Sequence, residues 1–189
     1  LQPMLLATAM DGHGKIHAEI MKQRPNLQVL IALQRDGFHT ESIGGQVYLK
    51  SDGTPGLDYH VSRYIWEGIR DAFLAMAEIQ FAAGAKMVAP VHRDAGIYGS
   101  IKEVKQVIAE LPMEILKARL FSAHVMGGCP MGEDSAKSVV NSNGLHHEVG
   151  NLSVFDGSVF PTSIAANPME SIFATSAKFA KHLAKVIVN

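Results

Sequence analysis

Cysteine pairs, long apolar runs and an excess of charge of either sign are all absent from this sequence. Cys129 is the single cysteine, so no internal disulfide bond can form, and cysteine usage does not indicate a cellular compartment. No apolar run approaches the roughly 20 residues that a membrane-spanning helix requires. The net charge of −1 supplies neither the basic surface that binds nucleic acid nor an acidic tail. These absences predict a globular protein without a nucleic-acid partner or a membrane span, and we assign it to the cytoplasm.

Two kinds of ligand-binding motif are also missing. His13 and His17 are four residues apart, and His146 and His147 are adjacent, but no third ligand follows at a suitable spacing. We therefore predict no metal site. No Gly-x-Gly-x-x-Gly follows a predicted strand, and that motif holds the pyrophosphate of a dinucleotide at a helix N-terminus. The chain alone is therefore not expected to hold a dinucleotide.

What remains is an ordinary globular composition, with 47% hydrophobic and 19% charged residues in a chain of 189. That length suits one domain, or one domain and part of another. The first ten residues begin without Met and lack the charged segment that opens a signal peptide, so we interpret the chain as an excised fragment.

The patterns before residue 120 alternate between strand and helix. Alternation from Asn26 to Phe38 predicts a half-buried strand. Its apolar face is formed by Leu27, Val29, Ile31 and Leu33. Strands over 46–50 and 57–61 flank a turn sequence and predict an antiparallel hairpin. Helical periodicity predicts one helix over 63–84, capped by Ser62, and a second that begins at Ser100.

Three motifs follow one another between residues 122 and 168. They are His124-Val-Met-Gly-Gly-Cys129, then Asn151-Leu-Ser-Val-Phe-Asp156-Gly157-Ser-Val-Phe-Pro161, then Asn167-Pro168. Residues 152–155 are apolar and end at a turn, which predicts a buried strand. Asn167 is a favoured N-cap and Pro168 suits the first helical position, so a helix should begin there. Its predicted buried face comprises Ile172, Ser176, Phe179, Leu183 and Ile187.

These motifs, in this order and at this spacing, resemble the C-terminal signature of the glucose-methanol-choline (GMC) family of flavin-dependent oxidoreductases. In that family the glycine-rich FAD loop lies near the N-terminus of a much longer chain, so the resemblance implies that this chain is the C-terminal portion. It implies an α+β fold in which helices cover an antiparallel sheet. Residues 1–120 would form the substrate-binding region. Residues 121–189 would contribute to the FAD site, with a strand and a helix that belong to the flavin domain.

The resemblance also assigns roles to individual residues. His124 matches the first member of the family's catalytic pair, and Asn167 matches the second, which is His or Asn. We assign His124 as the general base, because an imidazole exchanges protons near neutral pH and an amide does not. Asn167 is then the hydrogen-bond partner of the substrate oxygen. Asp156, Gly157, Asn167 and Pro168 match positions that approach the flavin, so FAD is the implied cofactor.

Two classes of function remain open. The first is FAD-dependent oxidation of an alcohol, with hydride transfer to flavin N5. The alternative is a non-catalytic fragment or subunit that lacks FAD and needs a separate N-terminal dinucleotide-binding domain. In either case we expect the chain alone to be inactive. The implied partners are a small-molecule alcohol and the N-terminal FAD-binding domain of the same parent protein. An unpaired strand edge at 152–155 further predicts either a homodimer or a rearranged C-terminal segment.

Overall fold

The computed structural model describes residues 2 to 188. Over this range the helices are α1 (Pro3–Ala9), α2 (Gly14–Lys22), α3 (Arg63–Ala82), α4 (Ile101–Glu110) and α5 (Met169–Val188), and the strands are β1 (Gly45–Leu49) and β2 (Pro55–Tyr59). Short 3-10 turns occupy Arg24–Asn26 and Gly157–Val159. None of the described helices is long and apolar enough to cross a membrane. A small antiparallel sheet together with several helices confirms the predicted α+β class.

The described chain forms two compact units. The first contains the chain up to Gln34 together with Val61–Phe121, and the second contains Arg35–His60 together with the chain from Ser122 onward. The hairpin of β1 and β2 therefore belongs to the same unit as the three C-terminal motifs. The assignment of residues 1–120 to substrate binding and of 121–189 to the FAD site stays a prediction.

Helices α3 and α4 form the centre of the first unit and begin where the sequence predicts. The hydroxyl of Ser62, which is buried, accepts a hydrogen bond from the backbone N–H of Ile65. The hydroxyl of Ser100 caps α4 in the same way. Buried apolar side chains fill the space beside the two helices; they are Ala77, Val88, Val104, Ile108 and Leu111.

Arg70 connects the two helices through a polar contact. Its guanidinium on α3 donates hydrogen bonds to the carbonyl oxygens of Ile108, Ala109 and Leu111 at the end of α4. The last carbonyls of a helix have no partner within the helix, and a cation there also complements the helix dipole. Arg70 therefore satisfies the C-terminus of α4 and holds it against α3.

The predicted hairpin is confirmed, with a small shift. Strands β1 and β2 pair antiparallel, with Val47 opposite Leu57 and Leu49 opposite Pro55. In the turn between them, the carboxylate of Asp52 accepts hydrogen bonds from the backbone N–H and the hydroxyl of Thr54. Strand β2 begins two residues earlier than predicted because this short turn, and not the longer segment up to residue 56, connects the strands.

The strand predicted from Asn26 to Phe38 is wrong. Residues 27–36 have no regular structure, and side chains of the expected buried face are exposed, with Ile31 72% and Leu33 79% accessible. A strand exists only when a neighbour pairs with its backbone, and within residues 2–188 the sheet contains β1 and β2 alone. The alternating pattern was present, but no described partner strand lies beside it.

Candidate active site

Helix α5 begins one residue later than the sequence predicts. The carbonyl of Pro168 accepts the first helical hydrogen bond, from the N–H of Ile172 at 2.9 Å, so Pro168 and not Asn167 occupies the N-cap backbone position. The side-chain oxygen of Asn167 still accepts a hydrogen bond from the N–H of Met169, at 3.4 Å. Asn167 is exposed, and this bond directs its oxygen to the helix. Its amide N–H groups make no hydrogen bond among the described residues.

The buried face of α5 is partly as predicted. Phe179 is 1% exposed and packs with Val140 and Val159 in the core of the second unit. The hydroxyl of Ser176 donates a hydrogen bond to the carbonyl of Phe155, which ties the helix to the segment before Asp156. Ile187 is 72% exposed, contrary to the prediction, because the core cluster around Phe179 does not extend to the last turn of the helix.

The strand predicted over 152–155 is also wrong. Ser153 makes a single bridge with Leu145, Val154 donates one hydrogen bond to the carbonyl of Gly144, and Leu152 is 44% exposed. Isolated contacts of this kind do not form a ladder, because the neighbouring backbone is an irregular loop and not an extended strand. The segment is therefore an irregular loop, and the expectation that residues 121–189 are either rearranged relative to the family or paired in a homodimer stays a prediction.

The Asp156-Gly157-Ser158 motif forms a tight turn. The carboxylate of Asp156 accepts hydrogen bonds from the hydroxyl of Ser158 at 2.5 Å and from its backbone N–H at 2.8 Å. These two donors, the hydroxyl first, hold the pKa of Asp156 below its usual value, against a smaller opposing effect of burial. The turn therefore depends on the ionised carboxylate.

This dependence predicts how the stability of the second unit changes with pH. Because the pKa of Asp156 is lowered on folding, its contribution is present above the unfolded-state pKa of about 4 and is lost as pH falls below it. In Asp156→Asn the side chain keeps an oxygen acceptor but cannot ionise. The free-energy gap between wild type and variant, measured by denaturant unfolding, should exist at neutral pH and close in acid. A gap that is independent of pH would contradict the role of the charge.

The histidine motif lies alongside this turn. The backbone N–H of Cys129 donates to the carbonyl of Ser158 at 3.0 Å, and that of Met131 donates to the carbonyl of Val159 at 2.8 Å. Gly127 has φ +82°, a conformation that favours glycine. Two main-chain hydrogen bonds therefore fix the segment after His124 to the turn after Asp156.

The segment after His124 and the first turn of α5 both contact Gly157. This residue is buried, and a Cβ atom placed on it would lie 3.3 Å from the carbonyl oxygen of Val125 and 3.2 Å from Cδ1 of Ile172. Val125 directly follows His124, and Ile172 lies in the first turn of α5, after Asn167. Sequence reasoning named Ile172 only as part of the buried face of the helix and did not identify Val125, because neither residue carries a functional group.

The two predicted catalytic residues lie close in sequence to residues that contact Gly157, and their assignment as catalytic residues stays a prediction. His124 and Asn167 are both exposed, and no hydrogen bond joins them among the described residues. Pro168 is buried beneath the helix start, whereas Asp156 is exposed on the turn. Within residues 2–188, no group of three His, Cys, Asp or Glu side chains is arranged to hold a metal ion.

Comparison with known proteins agrees with the motifs. Residues 41–176 match a family model described as GMC oxidoreductase. Long-chain-alcohol oxidase FAO4A of Arabidopsis thaliana is 30% identical over 128 residues, which are 64% of this chain and 18% of that protein. The uncharacterized GMC-type oxidoreductase y4nJ of Sinorhizobium fredii is 28% identical over 67% of this chain and 25% of its own length. A third relative, 6'''-hydroxyparomomycin C oxidase of Streptomyces lividus, is 40% identical over 67 residues, 33% of this chain and 12% of that protein. The chain thus spans a quarter or less of the length of these relatives, and it belongs to the GMC oxidoreductase family, as the C-terminal portion that its motifs predicted.

Proposed function

We propose that this chain supplies the catalytic side chains of a flavin-dependent alcohol oxidoreductase, with His124 as the general base and Asn167 as the hydrogen-bond partner of the substrate oxygen. The observation that carries the proposal is the meeting of the His124, Asp156-Gly157 and Asn167 segments at one buried glycine. A shared reaction site requires the segments that carry His124 and Asn167 to lie close together, and their contacts with Gly157 support this.

The residues present fit one part of FAD. The side-chain oxygen of Asn167 accepts a hydrogen bond from the N–H of Met169. The N–H groups of Glu170 and Ser171, which follow in α5, have no acceptor among the described residues. Free N–H groups and the dipole of α5 favour a negative charge at this position. We therefore infer that Asp156, Gly157, Asn167 and Pro168 hold the flavin ring. When bound, FAD supplies the acceptor for the hydride that leaves the alcohol carbon.

His124 and Asn167 have different roles towards the substrate hydroxyl group. His124 is exposed and makes no described hydrogen bond, so its imidazole is available to take the hydroxyl proton of an alcohol. Asn167 cannot take that proton. Because its oxygen is engaged with Met169, its N–H₂ group donates to the substrate oxygen and stabilises the charge that develops there. Both groups thus act on the same hydroxyl group.

An apolar alcohol is the substrate class that we propose. Two of the relatives described above have names that state a substrate. One is named as an oxidase of long-chain alcohols and the other as an oxidase of a hydroxyparomomycin. The relative that matches the larger share of this chain is the long-chain-alcohol oxidase. Steady-state rates with a long-chain primary alcohol and with a polyhydroxylated one, at equal concentration, distinguish the two classes. Faster turnover of the polyhydroxylated compound would overturn the assignment.

The alternative function is a non-catalytic subunit, and the missing Gly-x-Gly-x-x-Gly motif favours it for the chain alone. Catalysis then requires this chain together with an FAD-binding region and FAD. The assembly of these three is called the FAD-loaded protein below. Oxidised flavin absorbs at about 450 nm, so the spectrum of the purified chain after addition of FAD shows whether it retains the cofactor. We expect no retained flavin for the chain and alcohol-dependent bleaching of this band for the FAD-loaded protein. A band that alcohol fails to bleach would support the non-catalytic function.

Substitution of Asn167 separates its structural role from its chemical one. Asn167→Asp keeps an oxygen that accepts from Met169 but places a negative charge beside the proposed flavin position, so turnover should fall while the melting temperature is preserved. Asn167→Ala removes the hydrogen bond, which at 3.4 Å is long, and should cost about 0.5 kcal/mol of stability, the low end for a lost cap. Thermal unfolding and turnover of both variants test this. Equal melting temperatures for wild type and Asn167→Ala would remove the capping role.

A further inference from the structure

Gly157 is held between two elements that carry the proposed catalytic residues. A Cβ atom on it would lie 3.3 Å from the Val125 carbonyl oxygen and 3.2 Å from Ile172 Cδ1, closer than nearly all observed contacts of a Cβ atom. Its φ lies outside the left-handed region, so the backbone conformation itself is open to any residue. Contact, and not backbone strain, therefore opposes a side chain at this position.

The two neighbours of Gly157 differ in how freely they can move, because one is a main-chain carbonyl and the other is the end of a side chain. The carbonyl of Val125 is main chain, and the residues after it are hydrogen-bonded to Ser158 and Val159. Ile172 belongs to the first turn of a long helix, and Ser176 one turn later is hydrogen-bonded to Phe155, just before the turn that contains Gly157. A group inserted at residue 157 would therefore press on the peptide beside His124 and, where the Ile172 side chain does not rotate away, on the first turn of the helix that follows Asn167.

We propose that Gly157 is a positioning residue that sets the separation between His124 and Asn167. This inference rests on the proposed function, in which both side chains act on the same hydroxyl group. Simultaneous contact with one oxygen and its proton tolerates little change in the spacing of the two groups. A misplacement of about 1 Å can cost roughly 10²-fold in rate without a comparable loss of substrate binding. The absent side chain at residue 157 is thus a geometric requirement of the site.

The test uses substitutions of graded size and a second-site rescue. Gly157→Ala adds the Cβ atom, and Gly157→Val adds two further carbons. Ile172→Val removes the Cδ1 atom that the new Cβ would meet, so the double variant Gly157→Ala/Ile172→Val should restore part of the spacing. Gly150→Ala is the matched control, because Gly150 is exposed and an added Cβ has nothing within 4 Å.

In the FAD-loaded protein we expect kcat to fall roughly threefold to tenfold in Gly157→Ala and about 10²-fold in Gly157→Val, with KM changed less than about twofold. The double variant should recover at least half of the loss on a logarithmic scale, and Gly150→Ala should match wild type. A readout without flavin uses the full chain: amide resonances of Val125 and Asn167 should shift in Gly157→Ala and return towards wild type in the double variant.

The outcomes are distinguishable. Wild-type kcat in Gly157→Ala, together with unchanged resonances of Val125 and Asn167, overturns the positioning role. If Gly157→Ala lowers the melting temperature, the double variant decides, since restored stability without restored kcat also overturns it. Normal turnover after removal of the His124 imidazole instead overturns the proposed function. If removal of the imidazole abolishes turnover but Gly157→Ala turns over at the wild-type rate, the proposed function stands and only the positioning role is removed.

Discussion

Replacement of His124 with alanine is expected to lower alcohol turnover by the FAD-loaded protein about 10²-fold to 10⁴-fold, the usual contribution of a general base. The side chain is exposed and makes no described hydrogen bond, so its removal opens no buried cavity and breaks no hydrogen bond. Flavin content and melting temperature should therefore stay near those of wild type. Steady-state kinetics of each preparation, normalised to bound flavin, provide the measurement.

His60→Ala is the control for this prediction, because His60 is an exposed histidine in the same unit but lies outside the three motifs. Its variant should turn over alcohol at the wild-type rate. The dependence of turnover on pH adds a second criterion, since loss of a base removes the acidic limb of the profile. A His124→Ala protein that loses flavin but whose remaining holoenzyme turns over normally would show that His124 is not the base.

Substitution of Gly144 should have the largest effect on stability. Gly144 is buried, has φ +78°, and a Cβ atom placed on it would lie 2.5 Å from Cδ2 of Phe179 and 2.9 Å from Cε1 of Phe155. In Gly144→Ala the cost of the left-handed backbone conformation adds to the cost of overpacking two aromatic rings. We therefore expect the free energy of unfolding to fall by about 3 kcal/mol or more. The core around Phe179 would open before the rest of the chain.

Gly53→Ala separates these two causes. Gly53 has nearly the same φ, +79°, but a Cβ atom there has nothing within 4 Å, so only the backbone cost of about 1 kcal/mol remains. Amide hydrogen exchange measures the effect locally: protection at Val140 and Val159 should fall strongly in Gly144→Ala and little in Gly53→Ala. Val104 and Ile108, buried in the other unit, serve as internal references. Equal losses in both variants would mean that backbone strain, and not contact with Phe179, limits this position.

Features determined by nearby residues were predictable. The N-caps Ser62 and Ser100 lie directly before helical runs, and each hydroxyl accepts the hydrogen bond from the residue three positions on. The hairpin was recognisable from its turn sequence, although β2 begins earlier than predicted. In each case the deciding interaction joins residues that are close in sequence, so the sequence contains all the information needed.

Strands were predicted less well, because a strand depends on a partner that the local pattern does not show. Alternation over residues 27–36 and the apolar run at 152–155 are both genuine, yet neither segment pairs with a strand within residues 2–188. The face of α5 was predicted correctly at Phe179 and wrongly at Ile187, because helical spacing gives the direction of a side chain and not the extent of the core that it faces.

The order and spacing of the three motifs, and hence the family, follow from the sequence alone, as do His124 and Asn167 as candidate catalytic residues. Only the tertiary structure shows that Val125, Gly157 and Ile172 are in contact. Val125 and Ile172 lie 32 positions before and 15 positions after Gly157 (157 − 125 and 172 − 157), so no local pattern indicates that the three residues lie together. Their contact arises from the packing of a helix, a turn and a loop segment that are distant in the chain, and such long-range packing is decided only when the whole unit folds.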